Sequence, residues 1–473
     1  VQSVRSVPSL PTFLTNMAAN EIGLSPTGKS SQDAIGQGVA LVLLFRHYLH
    51  DFRLPELESV ASFYNATLQY DPAQLNDECP YLDVVFPSID KAISITRRCT
   101  LVSCLWQVCG RSKSYAEMNA TLGPKFLSNL IGQESYKCVV DAFGMRVGHH
   151  GTLDRLEKLY PSMTDCQVDL VKPKHIFWIF ENFGGPRGGG VLRELFFCRE
   201  LAIGQGGKLA TQYALPNRKY LGTTSMSAEL SFLVANQAKA GPGTFILDPF
   251  VGTASILVSC AAFGAHVIGS DLDPKVVHGK GEGTIRDNFE QYGLQTRLVD
   301  LLVNDNSKPL WSRGGVFDAI VCDPPYGVRA GAKRVTNERT DEDSASKKAK
   351  LNFDATTQKS SRMEAYPMCD VITDLLMFSS RMLRMGGRLV LWVPTIGTKY
   401  DPKGIPDHPC LKPLSNSLEQ LTRKYGRALV TMEKVLEYDP SRHAETWKAS
   451  LTTSSYSDAH KDIRAKVFQS RSS

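Results

Sequence analysis

The run Val321-Cys322-Asp323-Pro324-Pro325-Tyr326-Gly327 closes an apolar stretch that begins at Phe317. Two prolines cannot continue a ladder and restrict the residue before them, so the run reads as a buried parallel strand stopping at a rigid turn. In open α/β sheets, ligands bind at such carboxyl ends of strands. Asp323, Pro324, Pro325 and Tyr326 suit transfer of a methyl group to an exocyclic amine on a flat heteroaromatic ring. That amine is a weak nucleophile, because its lone pair spreads into the ring. Two acceptors for its N–H groups, the Asp323 carboxylate and the Pro324 carbonyl, would localise the pair on nitrogen, while Tyr326 offers a face for stacking. Asp, Pro and Gly are also ordinary turn residues, so the motif needs support from elsewhere in the chain.

That support lies upstream. Thr244–Leu247 reads as a buried strand running into Asp248-Pro249-Phe250-Val251-Gly252-Thr253 and then a helix from Ile256. A strand, a turn of small residues and a helix N-terminus form the first crossover of a doubly wound sheet, where backbone N–H groups meet a carboxylate-bearing ligand. His266–Ser270 is a second strand, ending at Asp271, an acid placed to accept from both hydroxyls of a cofactor ribose. Leu298–Val303 is a third, followed by Asn304-Asp305, where an acid accepts from an adenine amine. Phe317–Val321 is the fourth. Four strands, each with an acid just beyond its end, make the constellation of a Rossmann-like class I S-adenosylmethionine methyltransferase domain. Downstream, Met368–Met385 reads as a long helix closed by Gly386-Gly387. Arg388–Val393 is a fifth strand, and Arg427–Met432 a late one.

The rest of the chain must hold that domain in place. With 473 residues there is room for two or three domains. A hydrophobic content of 42% with 22% charged residues excludes a disordered or fibrous chain. The net charge of +6 permits an acidic partner such as RNA. Eleven cysteines scattered through apolar stretches read as reduced core thiols of a cytoplasmic or nuclear protein, and the fivefold spacing of Cys99, Cys104 and Cys109 suits no metal. Val39–Phe45, the longest apolar run near the start, is too short to cross a membrane.

Residues 1–37 are rich in Ser and Pro and read as a mobile tail, either a feeble transit peptide or an over-extended reading upstream of Met17. From 38 to 110, three strands alternate with two helices in an α+β (ferredoxin-like) pattern. From 111 to 206 the strands Tyr136–Phe143, Ile176–Phe180 and Glu194–Leu201 recur with less contrast. Lys172, Lys174, His175, Arg187, Arg193 and Arg199 there fit either an RNA-facing surface or a solvated basic face. The α/β catalytic domain occupies 207–451, with a polar insertion at 328–361 that reads as flexible, and a loose tail covers 452–473.

The whole pattern resembles one family: the eukaryotic tRNA guanosine-10 N2-methyltransferase catalytic subunits, in which a THUMP domain precedes a Rossmann-like methyltransferase domain. The matching residues are Phe52–Leu57, Thr224–Met226, Asp248–Thr253, Val277–Gly279, Asp323–Gly327, His408–Leu411 and Thr431–Val435. The resemblance implies S-adenosyl-L-methionine as cofactor, with Asp248, Gly252 and Thr253 at its methionine end. Thr224, Ser225 and Met226 would line the same site. Asp271 would hold the ribose, Asp305 the adenine edge, and Asp323 to Tyr326 the target guanine. It implies further that 111–206 is a THUMP domain positioning tRNA by its acceptor end, and that a small zinc-bearing activator subunit covers an apolar surface. One position departs from the family: Ala254 stands where a glycine is usual, and it would be strained if the turn requires positive φ. The residues alone leave open other amine acceptors, namely DNA adenine, ribosomal RNA guanine or a protein amide, and a catalytically silent tRNA-binding scaffold.

Overall fold

The computed structural model describes residues 38–185, 190–222, 225–279, 283–308, 310–325, 333–336, 362–396, 408–422 and 425–443. The expected tails at 1–37 and 452–473 lie outside these residues. So does the expected insertion at 328–361, apart from Lys333–Thr336.

Seven strands of the N-terminal half form one sheet: β1 (Val39–Phe45), β2 (Gln69–Tyr70), β3 (Tyr81–Phe86), β4 (Val102–Ser112), β5 (Tyr136–Phe143), β6 (His175–Asn182) and β7 (Glu194–Ile203). Their order is β2-β3-β1-β4-β7-β6-β5. Only β5 and β6 run parallel. Position 110 falls inside β4, where Gly110 and Arg111 pair with Phe197 and Phe196. The two N-terminal segments are therefore hydrogen-bonded through a single sheet. Helices α1 (Arg53–Phe63) and α2 (Ile89–Arg98) serve its first half; α3 (Tyr115–Leu122), α4 (Phe126–Ile131) and α5 (His149–Met163) serve its second. Ser88 and Ser114 cap α2 and α3 by accepting backbone N–H bonds from Lys91 and Glu117.

After α6 (Gly206–Gln212) and α7 (Ala228–Gln237) comes the catalytic sheet. Its elements are β8 (Phe245–Asp248), α8 (Ser255–Ala262), β9 (His266–Asp271), α9 (Pro274–His278), α10 (Ile285–Gln291), β10 (Leu298–Val303) and β11 (Phe317–Cys322). A short ribbon, β12 (Lys333–Thr336) with β13 (Arg362–Ala365), leads to α11 (Met368–Met382), β14 (Leu383–Ile396), β15 (Leu411–Thr422) and β16 (Tyr425–Lys434). The strand order is β10-β9-β8-β11-β14-β16-β15. The first five are parallel, and β16 enters antiparallel between β14 and β15. This doubly wound order brings the carboxyl ends of β8, β9, β10 and β11 to one edge, which is the geometry of a class I methyltransferase fold.

One expected boundary is wrong. The helix expected to run to Met385 and close on Gly386-Gly387 ends at Met382, and β14 begins at once with Leu383 extended at φ −70 and ψ 141. Strand pairing steps from Phe317↔Leu383 to Ala319↔Arg388, so the intervening residues bulge. Gly386 has φ +72, and a Cβ on Gly387 would meet the Arg384 carbonyl at 2.8 Å. The glycine pair serves a strand bulge, not a helix cap.

The catalytic sheet buries both faces. On one, Leu247, Ile320, Leu389 and Leu391 pack with Val371, Leu375 and Leu376 of α11. On the other, Val321, Val390, Trp392 and Leu429 share a core with α7, α8 and the N-terminal residues Phe52, Leu57 and Val60. Buried polar groups fasten this second face. Glu56 accepts N–H bonds from Thr100 at 2.6 Å and Leu101 at 2.8 Å, and one from the Asn236 amide of α7 at 2.7 Å. Asn236 in turn accepts from Arg98 Nε at 2.9 Å, and the Arg98 guanidinium lies 4.1 Å from the rings of both Phe63 and Phe263. Farther along, Arg388 of β14 donates to Ser59 Oγ at 3.0 Å and to the Gln237 carbonyl at 2.7 Å.

Candidate active site

Asp248 ends β8 and is buried, with Oδ1 accepting from Phe250 N–H at 3.0 Å. The turn after it is pinned to the next strand by a bond from Val251 N–H to the Ser270 carbonyl at 2.9 Å. Gly252 follows at φ +50, and its N–H donates to Asp271 Oδ2 at 3.1 Å. A Cβ on Gly252 would meet nothing closer than the Phe250 carbonyl at 3.9 Å, so the backbone here faces an open cradle. Thr253 Oγ1 lies 2.8 Å from Ser225 Oγ, which also accepts from Gly222 N–H at 3.0 Å. Thus the segment before α7 reaches the turn, and the sequence-predicted Ser225, Gly252, Thr253 and Asp271 come together around it. Met226 is buried beside Ser225, whereas Thr224 lies outside the described residues.

Ala254 sits at φ +60 and ψ 29 and is fully buried at the start of α8. A left-handed residue with a Cβ stores about 1–2 kcal/mol of strain, so the departure noted in the sequence lands on a position that does need positive φ. The turn keeps its shape through the Ala254 N–H bond to Val251 at 2.7 Å and through the buried Arg218, which donates to Ser255 Oγ at 2.7 Å.

At the tip of β9, Asp271 takes a second bond from Asp273 N–H at 3.0 Å. A carboxylate has about four lone-pair sites, so acceptor capacity remains for a diol. Asp305, beyond β10, accepts from Ser307 N–H at 3.0 Å, from Ser307 Oγ at 2.8 Å and from Val335 N–H of β12 at 2.7 Å. It therefore also ties the ribbon to the sheet, leaving about one lone pair for a further donor.

At the tip of β11, Asp323 is held by Arg427 Nη1, 3.3 Å from its Oδ2. Pro324 and Pro325 follow it, while Tyr326 lies outside the described residues. Burial pushes the Asp323 carboxyl up to about 6, with Arg427 opposing the rise and Glu419 adding to it. Asp248 is raised well above its usual range, first by burial and then by the charges of Asp271 and Asp323, and Asp271 is raised by burial. These carboxylates sense one another, as acids gathered at one sheet edge must, and together they favour a cationic ligand.

Arg427, Glu419 and Trp392 were missed by sequence reasoning. Arg427 Nε lies 2.6 Å from Glu419 Oε2, and its guanidinium carbon is 4.1 Å from the centre of the Trp392 ring. An arginine and an acid eight residues apart on either side of a hairpin turn were the available signal, but the hairpin itself was not foreseen. The basic residues singled out in the N-terminal half are largely paired: Lys174 and His175 share Glu134, and Arg193 meets Glu78. Arg187 lies outside the described residues.

Family models match both halves: a Tmrp11 THUMP N-terminal domain over residues 40–201, and an RMKL-like methyltransferase domain over residues 216–352. A tRNA (guanine(10)-N(2))-methyltransferase TRMT11 from Dictyostelium discoideum is 34% identical over 450 residues, covering 88% of this chain and 86% of that protein. The chain belongs to the TRMT11 family. The Gallus gallus member is 33% identical, with 84% of this chain and 88% of that one covered, and the Homo sapiens member 32%, with 84% and 89%. Among solved structures, TrmN from Thermus thermophilus aligns with a TM-score of 0.42 at 18% identity, over 84% of this chain and 100% of that one. As a TRMT11-family protein the chain is an S-adenosylmethionine-dependent enzyme, and the open cradle at Gly252 beside three strand-end carboxylates fits that cofactor. The family resemblance noted at Phe52–Leu57 falls on the segment that carries Glu56 and its buried bonds.

Proposed function

We propose that this chain methylates the exocyclic N2 amine of guanosine 10 in tRNA. The observation that carries the reading is Asp323, half-buried at the tip of β11 and fixed by Arg427, beside the strand ends that bear Asp248 and Asp271. S-adenosylmethionine supplies a methyl group activated by a sulfonium cation. Asp271 holds the ribose hydroxyls, Asp305 the adenine edge with its remaining lone pair, and Gly252 and Thr253 with Ser225, Met226 and Thr224 the methionine end. Asp248 shapes the methionine end with them. Asp323 and the Pro324 carbonyl accept from the guanine N2–H groups, Pro325 stiffens the turn and Tyr326 stacks on the base. As nitrogen bonds the methyl carbon, the carbon–sulfur bond would break with its electron pair left on sulfur, giving neutral S-adenosylhomocysteine, and the surplus N2 proton would pass to the Asp323 carboxylate. Guanosine 10 must leave its stack to reach this site, at a cost of a few kcal/mol offset by phosphate contacts elsewhere.

Residues 111–206 act as the THUMP domain that receives the acceptor end of the tRNA, with 38–110 bridging it to the catalytic domain at 207–451. A small zinc-bearing activator subunit covers the outer edge of the catalytic sheet. Support for that seat comes from β10, an edge strand with Val299 and Val303 exposed, and from Leu310 just beyond it, 65% exposed. The enzyme works in the cytoplasm; its eleven free thiols suit a reducing compartment, and no described helix is long and apolar enough to cross a membrane.

The test is transfer of tritiated methyl from S-adenosylmethionine into an unmodified tRNA transcript, by the chain alone, by the chain with the zinc-bearing subunit, and by the same complex carrying Asp323→Ala. Label recovered as N2-methylguanosine from the intact complex and absent with the variant is the expected result. A complex that binds tRNA and transfers nothing would instead mark a scaffold.

A further inference from the structure

Arg427 is not part of the strand-end signature, yet three independent contacts converge on it. It lies in register with Glu419 across the β15–β16 pair and with Pro394 across the β14–β16 pair, which puts it diagonal to Trp392 on the same face. The acid fixes Nε at 2.6 Å, the indole supports the guanidinium plane at 4.1 Å, and Nη1 is thereby directed at Asp323. The platform beneath is anchored from the N-terminal half. Phe52 lies 5.9 Å from Trp392, Asp51 accepts from Leu418 N–H at 3.2 Å, and the Asp51 carbonyl accepts from Ser417 Oγ at 2.9 Å.

We propose that Arg427 is a positioning residue of the methyl transfer: its guanidinium, clamped between Glu419 and Trp392, holds the Asp323 carboxylate in the orientation that meets the guanine amine. This inference rests on the reading of Asp323 as acceptor given above. A planar guanidinium held on one edge and one face has few orientations left, so it transmits a fixed direction to its third contact. The Phe52–Trp392 contact and the Asp51 bonds make the N-terminal half part of that clamp.

The test uses the full-length chain with its zinc-bearing subunit and compares Arg427→Met, Arg427→Lys and Asp323→Asn by methyl incorporation across pH, with thermal melting and calorimetric cofactor binding alongside. The expected result for Arg427→Met is a fall in kcat of roughly 10–100-fold, with KM for S-adenosylmethionine changed less than about twofold. Its acid limb moves to higher pH, because the cation that opposes protonation of Asp323 is gone while Glu419, Asp248 and Cys322 still face it. Arg427→Lys restores the limb but not the full kcat, since a lysine cannot bridge both acids through a rigid fork. A folded Arg427→Met enzyme with wild-type kcat and limb overturns the inference. Should that variant fail to fold, Arg427→Lys decides: wild-type kcat overturns it, and reduced kcat at an unchanged melting temperature upholds it. Asp323→Asn at the wild-type rate would retire the acceptor reading itself. Loss in Asp323→Asn beside a normal Arg427→Met retires only the present inference.

Discussion

On one face of the catalytic sheet, Leu247, Ile320, Leu389 and Leu391 are covered by α11, which directly precedes β14 in the chain and meets them through apolar side chains. On the opposite face, Val321, Val390 and Trp392 are covered by α7, by α8 and by residues from α1 and its approach, the last of these far removed in sequence from Val321. The near face is closed by a sequence neighbour, and apolar shape complementarity suffices. The far face is closed jointly by its own α7 and α8 and by α1 from the other sheet, and where the two halves meet the contact carries Glu56, Asn236, Arg98 and Arg388. Buried polar groups contribute little net stability when paired, but they cost heavily when a partner is wrong, so they select one docking geometry. It is this far face that holds the Trp392–Arg427 platform behind Asp323, where a small misalignment would reach the chemistry.

The contrast can be broken most severely at Glu56. Glu56→Ala takes their acceptor from the Thr100 and Leu101 N–H groups and from one N–H of the Asn236 amide, and at about 1–3 kcal/mol for each stranded donor a loss of roughly 3 kcal/mol or more in urea unfolding is expected, accompanied by loss of methyl transfer. A change below about 1 kcal/mol would mean that the polar latch is decorative. On the near face, Leu376→Ala should cost about 2–5 kcal/mol through cavity formation. The surviving folded enzyme should keep its acid limb, because Leu376 packs on the face of the sheet opposite the Trp392–Arg427 platform.

A milder effect comes from pH. Asp323 is pushed up to about 6, and the reaction needs its carboxylate, so kcat should fall as pH drops through about 6 and level off above it. A profile flat from pH 5 to 8, values straddling that figure by about a unit or two, would remove Asp323 as the titrating group. The smallest change belongs to the cofactor turn. Ala254→Gly relieves the left-handed Cβ and should raise stability by about 0.5–1 kcal/mol, measured by the urea midpoint. A loss of stability would show that the buried methyl packs more favourably than the backbone strains.

Much of this arrangement was legible in the chain. Strands β8, β9 and β11 announce themselves as short apolar runs followed by acids, because a buried parallel strand has no polar face to blur it, and the edge strand β10 keeps the same signature of an apolar run before an acid. The same clarity located Asp248, Asp271 and Asp323. Strand β15 was not foreseen, since Leu411-Lys412-Pro413-Leu414 carries a proline and mixed exposure that only an edge strand tolerates. With β15 unseen, its Glu419 could not be placed opposite Arg427. Helix α5 escaped notice because it buries little beyond Leu159, Ser162 and Met163 and has Pro161 inside it, so its period is weak. Gly386-Gly387 looked like a helix stop because a bulge and a cap make the same demand for a residue without Cβ. The latch at Glu56 and Asn236 is a tertiary pairing between residues 180 apart, and no local pattern encodes it.

The most direct test of the account is at the accepting atom. Two tRNA transcripts, identical except for guanosine or inosine at position 10, would be offered to the enzyme with its zinc-bearing subunit and labelled S-adenosylmethionine. Inosine keeps the ring and its carbonyl and lacks only the N2 amine. The account predicts label in the guanosine transcript and none in the inosine one, although both bind. Equal labelling of the two would contradict it, by placing the transferred methyl on some other atom.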